Sequence, residues 1–455
     1  MLSLPKVAEP LLSRFSVAFT KPTFQRAMVL LVGFVLTAGR HTVTRTLMTV
    51  CTLTSGHFGG YHRVFSRARW SLWPLARVLA ALVLELVPAD QPAVCAVDDT
   101  AAQHRGKRVY GKGRHRDPLR STRTHNVWVW GHQWVVLAVN VRFPFSARPW
   151  ALPVLCALYR TREVNQKEGR AHKTPITLAR QLVAALLHWF PGRRFVLLGD
   201  GHYASHELAR FCRGHRRRLT LVSLFHPRAH LCQPPPPPRA RGRVGRRRVR
   251  GAKLPRPEDV VAGTAKRQRS TVTWYGGKRR RVEFVTGTAQ WYKPADGLVP
   301  VRWVFVHDLG GTHEDRYFYS TDPALSPSRI IGLYTGRWSI EVTFQEAKQQ
   351  LGLATPRNRK DTSVLRTVPC LLGLYSLVSV LFHRHNGGGG GDKTPRPRAF
   401  LWYAKGEVTF SDALAGVRRL LWEQTVFSEP DQRDALKKLP RTLREGLLDQ
   451  LSRAA

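Results

Sequence analysis

Three acidic positions stand where their types and surroundings could do chemistry. Asp98 and Asp99 close the apolar run Val94–Val97, and Asp200 follows the apolar run Phe195–Leu198. Short apolar runs of this kind read as buried strands, here with carboxylates at their ends. The third acid, Glu341, lies in a segment opened by Ser326-Pro327, an N-cap and first-residue pair that predicts a helix running to Gly352. At about 100° per residue, Tyr334, Arg337, Glu341 and Lys348 share an arc of about 60°. Leu333, Ile340, Phe344 and Leu351 form the adjacent apolar stripe, which should face the core. Two strand-end aspartates and a helix glutamate supply hard oxygen ligands for Mg²⁺, with Mn²⁺ able to substitute. Two such ions roughly 3.5–4 Å apart would activate a water or a 3′-hydroxyl and stabilise the leaving oxygen of an in-line displacement. Arg337, Lys348 and Tyr334 suit the flanking phosphates. The alternative is a solvated helix whose Arg337–Glu341 pair, at i,i+4, contributes a few tenths of a kcal/mol.

The surrounding elements must bring these acids together. Residues 1–90 read as a helical DNA-binding region, with apolar runs Ala27–Leu36 and Leu75–Val87 flanking the basic, aromatic stretch His57–Trp70. After the first acids comes a basic loop, Arg105–Arg123, whose one acid is Asp117. Strands are expected at Val127–Val141 and Trp150–Leu158, and Thr174-Pro175 opens a helix to Phe190. A short helix near Tyr203–Cys212 and a strand at Leu219–Leu224 follow Asp200. Three strands in meander followed by alternating helix and strand predict a mixed α/β sheet. In such sheets functional groups gather beyond the carboxyl ends of parallel strands, so Asp98/Asp99 and Asp200 meet if their strands are neighbours.

The pattern breaks at Pro234–Pro238, which lead into the acid-free basic run Arg239–Arg256. Strand-like segments at Thr271–Tyr275, Arg281–Thr288 and Val301–Val306 then suggest a small β subdomain. Gly387–Gly391 reads as a flexible linker to a tail, Lys393–Ala455. The expected division is residues 1–90, a first core part at 91–230, a basic linker and β-rich insertion at 231–320, a second core part at 321–386, and the linker and tail at 387–455.

Composition points to the partner. The chain of 455 residues has 73 Lys+Arg against 30 Asp+Glu, a formal charge of +43, and its 43% hydrophobic content excludes wholesale disorder. Such a charge calls for a polyanion, and duplex DNA is the leading candidate, although an arginine-rich genome would also raise the count. The six cysteines are scattered without a CxxC pair, which argues against a zinc site or disulfide framework and suits a reducing cytoplasm. Ala27–Gly39, the most membrane-like stretch, is too short to span and reads as a buried helix. His125, His132, His202 and His226 read as packing or phosphate-contact residues more than as ligands.

The run from Tyr334 through Arg337, Trp338 and Glu341 to Lys348 fits Y-x2-R-x3-E-x6-K. It resembles the YREK signature of DDE transposases of the insertion-sequence-four superfamily. Asp98-Asp99-Thr100 and Asp200-Gly-His-Tyr203 look like that family's first and second acid motifs, and the resemblance covers roughly residues 90–385. It implies an RNase H-like core with a β-rich insertion between the second and third acids, and helical N- and C-terminal regions. It implies a catalytic and metal-binding triad of Asp98, Asp200 and Glu341, with Asp99 as the alternative first ligand. Tyr334, Arg337 and Lys348 would contact the phosphates of element ends, and Trp338 would either stack on a displaced base or pack in the core. The implied activity is cut-and-paste transposition: hydrolytic nicking at inverted-repeat ends, then strand transfer into target DNA, with a homodimer on paired ends. A catalytically silent DNA-binding protein of the same fold, and an RNA- or nucleoid-binding basic protein, are the alternatives. A cytoplasmic, nucleoid-associated protein with no membrane association is expected.

Overall fold

The computed structural model describes residues 3–104, 106–117, 120–122, 124–237, 248–387 and 405–453. Arg105 and Arg123 at the ends of the basic loop, the first half of the Arg239–Arg256 run and the linker glycines 388–391 lie outside the described residues.

The fold is mixed α/β, as expected. Its strands are β1 (Ala93–Gln103), β2 (Gly113–Arg116), β3 (Trp128–Val141), β4 (Trp150–Tyr159), β5 (Phe195–Gly199) and β6 (Leu219–Leu224), then β7 (Leu231–Cys232), β8 (Gln268–Thr273), β9 (Arg279–Lys293), β10 (Gly297–Asp308) and β11 (Arg316–Ser320). β3 runs antiparallel to β1 and to β4, whereas β1, β5 and β6 are parallel neighbours. The predicted order of three meander strands, helix, strand, helix, strand is therefore present, with β2 added at the edge of β3. The paired stretches of β1 and β5, Ala93–Val97 and Phe195–Gly199, are continuous apolar runs because both of their faces are covered, and β1 continues past the two aspartates to Gln103.

The β-rich insertion is not a separate subdomain. β11 pairs antiparallel with β6 through Phe318↔Leu224, Tyr319↔Ser223 and Ser320↔Val222, so β8–β11 prolong the core sheet. Between β4 and β5 the helix Pro175–Trp189 begins as expected, its Thr174 hydroxyl accepting the N–H of Thr177. Ser326 caps Pro327–Gly336 in the same way through the N–H of Arg329.

The N-terminal helices, including Lys21–Leu36 and Leu72–Leu84, pack on the helix Asp361–Gly387, which also covers β4. Asp361–Gly387 is the described helix long and apolar enough to span a membrane, whereas Lys21–Leu36 is shorter; its apolar side chains are buried in this core. The C-terminal residues are packed as well. In the helix Phe410–Leu421, Phe410 stacks on Tyr375 with centroids 4.0 Å apart. Arg418 of the same helix is buried, and its Nε and Nη2 donate to the carbonyls of Val35 and Thr37 at 2.7 and 3.0 Å. It thereby satisfies carbonyls at the end of Lys21–Leu36 that the helix itself leaves unpaired.

Candidate active site

The register of β1 against β5 sets the first two acids. Val97 lies opposite Gly199, and Asp98 and Asp200 each follow one step beyond that pair. The turn after β5 is fixed locally. Asp200 Oδ1 accepts the N–H groups of His202 and Tyr203 at 3.0 and 3.3 Å. The Ser223 hydroxyl of β6 donates to the carbonyls of Gly199 and Asp200.

Arg337 joins Asp98 to the third acid. Its Nη1 donates to Asp98 Oδ2 at 2.8 Å and its Nη2 to Glu341 Oε1 at 2.7 Å. Burial pushes the Asp98 carboxyl up to about 7; the Arg337 guanidinium opposes the rise and the neighbouring Asp200 carboxylate adds to it. Burial likewise works against the Arg337 charge, and the carboxylates of Asp98 and Glu341 outweigh it, so its pKa is raised. Arg337 thus ties Asp98 to Glu341, and Asp200 is a charged neighbour of Asp98.

Asp99 has different neighbours. Successive strand residues point to opposite faces, so Asp99 turns away from Arg337. Gln133 Nε2 donates to its Oδ2 at 2.7 Å, and the buried Tyr203 hydroxyl donates to its Oδ1. Burial raises the Asp99 carboxyl and these two donors hold it back. Tyr203 lies within a motif legible in the sequence; nothing in the sequence points to Gln133.

The segment bearing the third acid is two helices, Pro327–Gly336 and Ser339–Gln350, in place of one helix to Gly352. Around the junction Ile340 N–H bonds to the Arg337 carbonyl and Glu341 N–H to that of Trp338, the tighter i→i+3 pattern. This breaks the common arc. Tyr334 is buried with its ring 4.4 Å from that of Phe318, and burial pushes its hydroxyl up to about 12. The guanidinium of Arg337 lies 5.7 Å from the same ring. Trp338 is 43% exposed, which removes core packing as its role. Lys348 is exposed, with Asp117 as its charged neighbour. Leu333, Ile340, Phe344 and Leu351 are all buried, as the apolar stripe requires.

The donor set, carboxylate oxygens at partly buried to exposed positions, is the kind a hard divalent cation takes, and the Asp200 carboxylate beside Asp98, a lesser cause of its raised pKa than burial, is negative charge that a cation would offset. Among the described residues no three His, Cys, Asp or Glu converge closely enough to enclose an ion, and Arg337 lies between Asp98 and Glu341. Of the histidines, His132 is buried with Nε2 at 2.8 Å from the Tyr110 carbonyl and its ring 4.4 Å from that of His104.

A solved piggyBac transposase synaptic complex with hairpin DNA is similar over 95% of this chain and 76% of that chain, with a TM-score of 0.43 and 10% identity. No curated protein matches the chain. The family model described as DDE superfamily endonuclease matches residues 14–281, a span that holds Asp98, Asp99 and Asp200 and ends before Tyr334, Arg337 and Glu341. The match takes in more than half of the sequence, and the chain belongs to the DDE superfamily endonuclease family.

Proposed function

We propose that the protein is a DNA transposase that cuts phosphodiester bonds at the ends of its element and joins the freed 3′-hydroxyl to target DNA. The observation that carries this reading is that Asp98 and Asp200 stand side by side where the pairing of β1 with β5 ends, while Arg337 ties Asp98 to Glu341. A merely structural ion pair would need one acid; here a second carboxylate, Asp200, sits beside the partly buried Asp98, a repulsion that a cation or a phosphate partner would put to use. Asp98, Asp200 and Glu341 would hold a divalent ion such as Mg²⁺. That ion, when bound, supplies Lewis-acid activation of the attacking hydroxyl and charge stabilisation at the leaving oxygen. Asp99, held by Gln133 and Tyr203 with Asp200 as a charged neighbour, is the alternative first ligand.

Arg337 has the second role. Its planar fork already spans two carboxylates, and a phosphate presents the same acceptor geometry, so Arg337 passes from the acids to the scissile-strand backbone when DNA enters. Lys348 and Trp338, both exposed, are the remaining contacts on that face, while buried Tyr334 acts by orienting Arg337 through its ring. The spacing from Tyr334 to Lys348 supports kinship with the insertion-sequence-four superfamily, and with it a cut-and-paste route on paired ends.

The deciding experiment incubates the protein with Mg²⁺ and DNA carrying the inverted repeats that flank its gene, beside Asp200→Ala and Glu341→Ala. End-specific cleavage by the wild type, lost in both variants, is expected. Specific binding with no cleavage by any version would instead establish a DNA-binding protein in which Arg337 permanently occupies the acids.

A further inference from the structure

Two tryptophans far from the acids are left unexplained by this chemistry. Trp128 and Trp130 begin β3 and are 48% and 57% exposed. Spaced two apart, they share one face of the sheet. Asp98 pairs with Val136, so strand alternation places Trp130 and Trp128 on the face that also carries Asp98. Cations flank both rings. The Arg114 guanidinium lies 4.9 Å from the Trp128 centroid, and Lys112 Nζ lies 5.4 Å from that of Trp130. Both cations come from β2 or the turn before it, which pairs with β3 through Arg114↔Trp130 and Arg116↔Trp128. A groove of about 630 Å³ beside the rings is lined further by Lys107, Arg120 and His104. Between Asp99 and Glu163 the sequence holds a single acid, Asp117, so this hairpin is strongly positive.

We infer that the β2–β3 hairpin is a stacking platform for unpaired bases of the DNA strand whose backbone runs to the acids. The inference rests on the reading of the chain as a DNA-cutting enzyme. Exposed indoles cost solvation and are of no use to a duplex, whose base faces are hidden in the stack. Indoles flanked by cations match the needs of a single strand, rings for the bases and charge for the phosphates. The spacing fits. Two residues along a strand advance about 6.8 Å, twice the roughly 3.4 Å that separates successive bases along one strand. One base can therefore enter between Trp128 and Trp130. Trp130 stands six residues from Val136, or about 20 Å along the strand. At about 3.4 Å per nucleotide that is roughly six nucleotides from the cut phosphate.

The test uses the full chain in an Asp200→Ala background, with Trp128→Ala/Trp130→Ala and Trp128→Phe/Trp130→Phe added. Fluorescence anisotropy reports binding to a labelled oligo(dT) 30-mer, an oligo(rU) 30-mer and a 30-base-pair duplex of the element end. The alanine pair is expected to weaken oligo(dT) binding at least about tenfold and duplex binding less than about threefold. The phenylalanine pair should keep oligo(dT) binding near wild type, and because both side chains are exposed the melting temperature should not move. Unchanged oligo(dT) binding, an equal loss on duplex, or a preference for oligo(rU) would each overturn the platform. Failure of the unaltered background protein to bind any DNA would overturn the DNA-cutting reading itself, a result separable from the first three.

Discussion

Arg337→Ala offers the sharpest test of how the acids are held. The guanidinium makes charge-assisted bonds of 2.8 and 2.7 Å to Asp98 and Glu341, and it is buried. Removing one member of a buried pair typically costs about 3–5 kcal/mol, because the partner is left as an uncompensated charge. Asp98 sets how much of that is paid at a given pH. Its carboxyl moves from 3.8 to about 7 even with Arg337 present. At about 1.4 kcal/mol per unit, holding it ionised costs on the order of 4 kcal/mol. Its folded-state pKa lies above the unfolded one, so its support for the fold is full below about 4 and is lost as pH rises through about 7. Without Arg337 the Asp98 pKa rises further, so above pH 7 the variant either keeps a naked carboxylate or holds a proton that the wild type has released; at pH 5 the carboxyl is protonated in both and needs no cation. Arg337→Ala should therefore cost about 3–5 kcal/mol at pH 8 and about half of that or less at pH 5. Adding Asp98→Asn should recover most of the loss at pH 8. Urea unfolding of the four members of the cycle, without added metal, measures all of this. An equal penalty at both pH values, or an Asp98→Asn change whose cost adds to that of Arg337→Ala, would refute the argument.

Other expectations follow from the same physics. Burial lowers the His132 pKa from 6.5 to about 4, with the charges of His104, His115 and Lys112 adding to the shift. The unfolded chain therefore takes up a proton first, and about 3 kcal/mol of stability should disappear as pH falls from about 6.5 to about 4; His132→Phe should flatten that part of a melting-temperature profile. Arg280 holds the buried Asp308 carboxyl well below the usual range through bonds of 2.6 and 2.8 Å. The stability Asp308 contributes is present above pH 4 and lost in stronger acid, so Asp308→Asn should lower the melting temperature at pH 7 and narrow the gap to wild type at pH 3. Arg418→Met should strand the carbonyls of Val35 and Thr37 at a cost of about 2–4 kcal/mol, read by denaturant midpoint, and should loosen hydrogen-exchange protection at the end of Lys21–Leu36. Tyr203→Phe removes the hydroxyl that faces Asp99 and should destabilise the protein by about 1–2 kcal/mol without changing the residues around Arg337.

What was legible in the sequence and what was not divides along physical lines. The first two acids could be read because the paired stretches Ala93–Val97 and Phe195–Gly199 are apolar, which makes the carboxylates that follow conspicuous, although β1 itself continues past Asp98 and Asp99 to Gln103. β2 and β11 escaped because Gly-Arg-His-Arg and Arg-Tyr-Phe-Tyr-Ser are too short and too polar to show a period. The motif in the sequence favours Asp98 with Asp99 as the alternative, and their different partners, Arg337 for Asp98 and Gln133 for Asp99, had no sequence signal because strand alternation turns neighbouring side chains apart. The helix break at Arg337–Trp338 had one local signal, Gly336. Helical-wheel reasoning assumes an uninterrupted 3.6-residue period, so it did not show that Tyr334 would be buried, although its ring still lies beside Arg337. The long-range burial of Arg418 had no sequence signal, since its partners are carbonyls nearly four hundred residues away.

The seam between β6 and β11 has a consequence for how such a protein can be rebuilt. Its three residue pairs tie the insertion to the strand next to the one that ends at Asp200, and β11 is followed directly by the helices bearing Arg337 and Glu341. The polypeptide has no route to the third acid except through the insertion. Shortening it or exchanging it for a homologous cassette would alter the entry angle of the Glu341 helix as well as the inserted surface. Grafts that preserve the β6–β11 register are the ones in which the geometry of the acids should survive.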